Sequence, residues 1–136
     1  METRKFSAKR EKILYLLQST KTHPGAYWVY EKLKPEIPNL SLGTVYRNLN
    51  LFCREKKALS LGVVRGEERF DGITELHPHL VCTRCGLIKD IHKSKVIDLM
   101  QKRFTLDSGF FIDFRKTMFY GLCKDCRDRG NSDPAA

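Results

Sequence analysis

Two Cys-x-x-Cys pairs, Cys82-Thr83-Arg84-Cys85 and Cys123-Lys124-Asp125-Cys126, stand with residues 86–122 between them, and no other feature restricts the fold of this chain so much. A Cys-x-x-Cys turn aims two sulfurs at one point while its backbone amides support them, and zinc takes four such ligands in a tetrahedron. The segment between the pairs must then bring its own ends together. The competing readings are a redox dithiol or two unrelated pairs. Neither pair is placed to open a helix after a buried strand, as a thioredoxin-like thiol does, so a structural zinc at Cys82, Cys85, Cys123 and Cys126 is the reading taken. The fifth cysteine, Cys53, falls beside Leu49 and Phe52 on an apolar helical face and reads as a small buried residue.

Metal-binding cysteines fit a reducing compartment. The N-terminal Met1-Glu2-Thr3-Arg4-Lys5 leads into no apolar run of the secretory type, and no apolar run approaches the roughly 20 residues of a membrane span. The expected location is the cytoplasm, with no membrane partner. The 136 residues make one ordinary domain or two small ones, and each half of a two-domain chain would gain from a metal or a partner subunit. The charge is uneven. Residues 1–72 carry 14 Lys/Arg against 8 Asp/Glu, a surplus of +6, which leaves +3 of the total +9 for residues 73–136. The N-terminal half is therefore the one suited to a polyanion.

Helical spacing organises that half. Ser7 is placed to cap a helix bearing Phe6, Ile13, Leu14 and Leu17 and ending near Thr20. His23-Pro24-Gly25 breaks it, and Ala26, Val29, Tyr30 and Leu33 mark a second, short helix. Ser41 is a plausible N-cap for a third, whose Leu42, Val45, Leu49 and Phe52 share one face with Thr44 and Arg47 nearly opposite. Strand-like Leu59–Val64, the turn Arg65-Gly66-Glu67 and a return strand at Arg69-Phe70-Asp71 add a wing. Three helices with a basic, exposed third one and a following hairpin predict a winged helix-turn-helix that binds double-stranded DNA. Thr44 and Arg47 should face the major groove, and Lys5 and Arg10 are candidate backbone or minor-groove contacts.

Beyond Asp71 the pattern changes. Gly72–Glu75 reads as a hinge, Leu80–Cys82 and Leu87–Ile91 as strands joined by the first cysteine turn, Val96, Leu99, Met100 and Phe104 as a helix face, and Phe110–Tyr120 as a long strand. The predicted fold class is α+β: a winged-helix domain over residues 1–72, a small α/β domain with a four-cysteine zinc site over 73–126, and a polar tail over 127–136.

His77 and His79 are two apart, so on an extended segment both rings point to one side. Asp71 precedes them and Asp90 follows on the next strand. If His23 joined them, three nitrogens and two carboxylates would suit Fe(II) or Mn(II). Histidines beside acids are also common on ordinary surfaces, and spacing alone leaves both readings open. His92 reads either as a ligand or as a solvated residue.

The ordered set Leu42-Gly43-Thr44-Val45-Tyr46-Arg47-Asn48-Leu49, Arg69-Phe70-Asp71, His77-Pro78-His79-Leu80-Val81-Cys82-Thr83-Arg84-Cys85-Gly86 and Tyr120-Gly121-Leu122-Cys123-Lys124-Asp125-Cys126 resembles the ferric uptake regulator family over residues 5–126. The resemblance implies a homodimeric, metal-dependent DNA-binding repressor, with an N-terminal winged helix and a C-terminal dimerisation domain. It is greatest to the peroxide-sensing branch, whose regulatory metal is held by three histidines and two aspartates; these map to His23, His77, His79, Asp71 and Asp90. That branch releases DNA when bound Fe(II) drives oxidation of a ligand histidine, here His23 or His77. The resemblance also adds Tyr46 and Asn48 to the DNA-contact candidates, although by helical phase Tyr46 lies at the edge of the core face, where a structural role competes. An additional metal site found in many iron and zinc regulators would fall where this chain has Leu76, Pro78 and Phe114-Arg115, so it is expected to be missing.

In such a protein, metal shared by the two domains sets the separation of the recognition helices in a dimer, and a palindromic operator accepts only one spacing. The rival readings are an iron-uptake repressor that reports Fe(II) without oxidation, a zinc-bound thiol redox switch, and a zinc hydrolase. The last lacks a His-Glu-x-x-His or His-x-Glu motif, and no enzymatic activity is expected.

Overall fold

The computed structural model describes residues 8–92 and 94–129. The chain divides into two compact units between Thr74 and Glu75. The expected helix cap at Ser7 and the candidate DNA contact at Lys5 lie outside the described residues.

The first unit holds α1 (Ala8–Ser19), α2 (Ala26–Leu33) and α3 (Leu42–Arg54), then a hairpin of β1 (Leu59–Val64) and β2 (Glu67–Asp71). Ile13, Leu17, Val29, Val45, Leu49, Phe52 and Phe70 are shut off from solvent and form one core. All but Phe70, which comes from the return strand, are positions the helical spacing marks, and each such side chain contributes roughly 1.5–3 kcal/mol by leaving water. Ser41 caps α3, its Oγ accepting from Thr44 N at 3.1 Å. The hairpin pairs Leu59 with Asp71 and Val64 with Glu67. Its two-residue turn puts both Arg65 (φ 54°) and Gly66 (φ 81°) in the left-handed region, the pattern that matches strand twist in a tight hairpin. Three helices followed by this hairpin constitute a winged helix-turn-helix.

The second unit holds β3 (His79–Cys82), β4 (Ile88–Asp90), α4 (Lys95–Ser108), β5 (Met118–Gly121) and α5 (Lys124–Asp128). The sheet order is β4-β3-β5, with β3 antiparallel to β4 and parallel to β5. A parallel pair cannot be joined by a tight turn, and α4 is the crossover that satisfies this. Ser94 caps α4 through its Oγ, which accepts from Val96 N. The architecture is α+β.

Two sequence expectations need correction here. Phe110–Tyr120 is not one long strand: only Met118–Gly121 pairs, and Phe114–Lys116 forms a single 3₁₀ turn. The backbone ahead of β5 finds partners among side chains instead of a ladder. Gln101 donates to Ile112 O and accepts from Ile112 N, Thr105 Oγ1 donates to Phe110 O, and Asp113 caps the turn by accepting from Arg115 N. Secondly, the second cysteine pair does open a helix, because Cys123 is the N-cap of α5 directly after β5. The argument against a redox dithiol therefore passes from helix placement to how the four sulfurs are gathered.

Candidate metal centres

The two cysteine turns arise at the ends of adjacent parallel strands. β3 ends at Cys82, where the chain folds back so that Gly86 N donates to Cys82 O at 3.0 Å, with Gly86 in the left-handed region (φ 81°). β5 ends at Gly121, whose carbonyl accepts from Thr83 N at 2.9 Å. Arg84 Nη1 donates to Cys126 O, tying one turn to the other. The four Sγ atoms of Cys82, Cys85, Cys123 and Cys126 all lie within 4.8 Å of one another, and no pair is bonded as a disulfide. Cys85 Sγ and Cys123 Sγ are 3.8 Å apart. A regular tetrahedron with zinc–sulfur bonds of about 2.3 Å has edges of about 3.8 Å, so the donor set fits zinc in both chemistry and size. The sulfurs also differ electrostatically. Burial raises the Cys82 thiol, yet hydrogen bonds from the backbone of Cys85, Cys123 and Arg84 outweigh it and bring the group down to about 6. At Cys126, burial and the neighbouring thiols act together and push the group up to about 12.

The histidine–aspartate residues form two groups, one in each unit. In the first unit His23 and Asp71 are both buried, with His23 Nε2 3.5 Å from Asp71 Oδ2. His23 adopts φ 52°, a left-handed conformation rare for a side-chain-bearing residue and costing on the order of 1–3 kcal/mol. Asp71 ends β2, and its Oδ1 accepts from Ile73 N at 2.9 Å. Gly72 follows against the end of α1, where an added Cβ would fall 2.6 Å from Leu17 O; only glycine lets the chain pass there.

In the second unit His77 and His79 are buried with ring centroids 4.4 Å apart, so the alternation of an extended segment does place both on one side. Asp90 Oδ1 lies 2.6 Å from His77 Nε2 and 3.2 Å from His79 Nε2. The register explains this, since His79 of β3 is directly opposite Asp90 of β4. His77 Nδ1 is 2.7 Å from Glu75 O and must donate to it, because a carbonyl only accepts. That tautomer turns the Nε2 lone pair toward a carboxylate oxygen, an arrangement that needs a second proton on the ring or a cation at the contact. Backbone fixation of Nδ1 is also how metal-binding imidazoles are oriented. The donor set of neutral imidazoles and carboxylates suits Fe(II) or Mn(II). His92 is exposed and stacks on His77 at 5.4 Å.

The candidate DNA-facing residues differ in their contacts. Thr44, Tyr46 and Arg47 lie on or beside the outer face of α3, where Arg47 Nη2 donates to Thr44 Oγ1 at 3.1 Å. Asn48 turns back to donate to Thr44 O at 2.9 Å and accepts from Arg10 Nε of α1 at 3.2 Å. Arg10 and Asn48 thus brace α3 against α1, a link that helical phase alone does not reveal because it joins two helices through polar side chains. Cys53 packs partly buried against the core, and burial raises its thiol. Among the described residues no helix is long and apolar enough to cross a membrane.

The sequence model of the ferric uptake regulator family matches residues 2–115, which covers both histidine–aspartate groups and the first cysteine pair. The peroxide-responsive repressor PerR of Staphylococcus saprophyticus is 34% identical over 125 residues, covering 92% of this chain and 84% of that protein. The solved structure of the Campylobacter jejuni peroxide stress regulator is similar with a TM-score of 0.67 at 30% identity, covering 87% of this chain and 88% of that one. The Vibrio cholerae ferric uptake regulator is similar with a TM-score of 0.67 at 30% identity, covering 88% and 92%. Members of this family are transcription regulators that bind DNA as dimers. With its winged helix, its four gathered sulfurs and its histidine–aspartate groups, the chain belongs to the ferric uptake regulator family.

Proposed function

We propose that this protein is a homodimeric transcriptional repressor whose hold on a palindromic operator depends on Fe(II) or Mn(II) and ends on exposure to peroxide. The observation that carries the reading is the convergence of His77 and His79 on Asp90 Oδ1; the reading takes the remaining donors from the His23–Asp71 pair of the winged-helix unit. In this reading the five residues share one regulatory ion. Asp90 and Asp71 offset its charge, and the imidazoles supply its nitrogen ligands. Ferrous iron held there would supply the electrons that reduce peroxide, leaving an oxidant that adds oxygen to a ligand imidazole. His23 and His77 are the expected targets. An oxygenated ring is a poorer ligand, so the half of the site it belongs to lets go, and the two recognition helices lose their fixed separation.

The zinc at the four cysteines serves another purpose, holding the second unit folded without reporting on conditions. The second unit also supplies the dimer surface. A surface helix ordinarily buries an apolar stripe, yet α4 buries no residue within the single chain and leaves Val96, Leu99, Phe104 and Leu106 exposed, followed by exposed Phe110 and Phe111. A second copy covering this face accounts for it. On DNA, Thr44, Tyr46 and Arg47 read the major groove.

Mobility-shift titration with Fe(II), Mn(II) and Zn(II), before and after peroxide, tests the reading together with peptide mass mapping. Expected is operator binding with Fe(II) or Mn(II), lost after peroxide only in the Fe(II) form, with one added oxygen on His23 or His77. Release without any added oxygen on the histidines would sink histidine oxidation as the switch and favour the thiol redox reading. Operator binding that follows Fe(II) supply but ignores peroxide would assign the protein to iron-uptake control.

A further inference from the structure

Arg69 lies on β2, two residues before Asp71, and its guanidinium reaches across to the loop that precedes α2. Nε donates to the carbonyl of His23, and Nη2 donates to the carbonyl of Thr22 at 3.0 Å. One residue further on in both segments, Phe70 N donates to Pro24 O at 2.9 Å. The carbonyls of Thr22, His23 and Pro24 are thus all held by two consecutive residues of β2. On the other side of the loop, Thr22 N donates to Thr20 Oγ1 at 3.1 Å, which braces the approach from α1.

His23 is the residue in this loop that most needs holding. Its φ of 52° is a conformation that a histidine left to itself seldom adopts, and it is only 4% exposed beside Asp71. A planar guanidinium presents donors in a fixed fork, so it can set two successive carbonyls at once in one geometry; an ammonium has three donors but a flexible stem that fixes none of their directions. Asp71 belongs to the same strand as Arg69. The side chain that fixes His23 is therefore mounted on the element that carries the other member of the pair.

We propose that Arg69 is a positioning residue for the regulatory metal: by gripping the carbonyls of Thr22 and His23 it locks His23 in its left-handed conformation and delivers the imidazole to Asp71. This rests on the reading that His23 and Asp71 are metal ligands. Arg69 itself has no lone pair to give, so its part is not that of a ligand. Its contribution is to remove the alternative backbone conformations in which His23 would turn away, so that the metal does not have to impose order when it binds.

The test is Mn(II) titration of the full-length zinc-loaded dimer, followed by electron paramagnetic resonance, for the parent protein and for Arg69→Met, Arg69→Lys and His23→Ala. The expected result is a fall in Mn(II) affinity of roughly 10- to 100-fold in Arg69→Met, the range seen when residues orienting a ligand are removed. Arg69→Lys should fall between the parent and Arg69→Met, and all three variants should retain their zinc. A merely structural role for Arg69 would not change where oxygen is added. Fe(II)-loaded Arg69→Lys treated with peroxide should therefore carry a smaller share of its added oxygen on His23 and a larger share on His77 than the parent does. If His23→Ala weakens Mn(II) binding while both Arg69 variants bind as the parent and keep its His23-to-His77 ratio, the proposal is overturned and the ligand reading stands. If His23→Ala itself binds Mn(II) as the parent does, the ligand reading fails and takes this proposal with it. Should Arg69→Met not fold, Arg69→Lys retains the charge and stem, and its affinity and oxidation ratio decide the matter alone.

Discussion

His77 Nε2 stands 2.6 Å from Asp90 Oδ1 while the opposite nitrogen of the same ring donates to the carbonyl of Glu75. Since the same oxygen of Asp90 also meets His79 Nε2 at 3.2 Å, one carboxylate oxygen organises both histidines of the second unit. Replacing it by an amide keeps the shape and removes the charge. Asp90→Asn should bind Mn(II) more weakly by more than the roughly 10- to 100-fold typical of losing a ligand's hydrogen-bond partner. Zinc content and far-ultraviolet circular dichroism should not change. Isothermal titration with Mn(II) checks it, and parent-like affinity would remove Asp90 from the site.

Removal of a zinc ligand should divide the molecule. The first unit has its own core around Phe52 and Phe70, whereas the buried hydrophobic residues of the second are Val81, Cys82, Ile88, Phe114 and Cys126. A core that small depends on its metal, and structural zinc contributes on the order of 10–16 kcal/mol of apparent folding free energy in small zinc domains. Cys123→Ser should lose zinc and amide protection over residues 75–129 while residues 8–74 stay protected. Hydrogen exchange read by mass spectrometry follows both segments in one experiment.

Acid should act on the zinc site in two stages. In the metal-free unit Cys126 holds its proton up to about pH 12, so zinc must expel that proton at any neutral pH. Cys82, brought down to about 6, is already a thiolate at neutral pH and gives up none. Below about pH 6 it is protonated too, and zinc must expel one proton more. Zinc affinity therefore falls as pH falls, and the slope steepens by about one decade per pH unit on passing below pH 6. The same sign holds for the metal-free fold: the depressed group at Cys82 contributes stability that is lost as pH falls through about 6. Competition with a chromophoric chelator across pH 5–8 measures the break in slope.

On α3 the polar residues should separate into readers and braces. Arg47→Ala removes a candidate base contact and should weaken operator binding by about 1–3 kcal/mol, with Mn(II) affinity and stability close to the parent. Asn48→Ala removes the partner of Arg10 Nε and of Thr44 O, so it should lower the urea midpoint as well as DNA affinity. Binding isotherms beside urea titrations distinguish the two, and an unchanged midpoint in Asn48→Ala would cast it as a reader.

What the chain discloses before folding depends on how local the cause is. The core face of α3 is legible because Val45, Leu49 and Phe52 recur at helical spacing, and all three are fully buried. The four cysteines are legible from residue type, since few structures other than a metal site employ two such pairs. The segment before β5 misleads because its aromatic content is that of a strand, while its backbone partners are side chains of α4 that no local pattern announces. The helix opened by Cys123 is short and polar, with too few apolar positions to show a period. Arg69 and Gly72 are named in the sequence only as strand and hinge, and their actual roles stay unread for a related reason: one acts on a loop 46 positions away in sequence, the other on the end of α1, and both roles exist only once the fold has formed.

The parallel pairing of β3 with β5 has a consequence for how this molecule is made. His79 faces Met118 and Cys82 faces Gly121, so the second unit cannot close its sheet until the chain has been synthesised through Gly121. The first unit is complete by Thr74 and can fold while the rest is still being translated. Between those moments the ribosome-bound chain has a finished winged helix and only the first two sulfurs of the four. Zinc capture therefore follows the folding of the first unit, and a cell short of zinc would accumulate chains with one finished half.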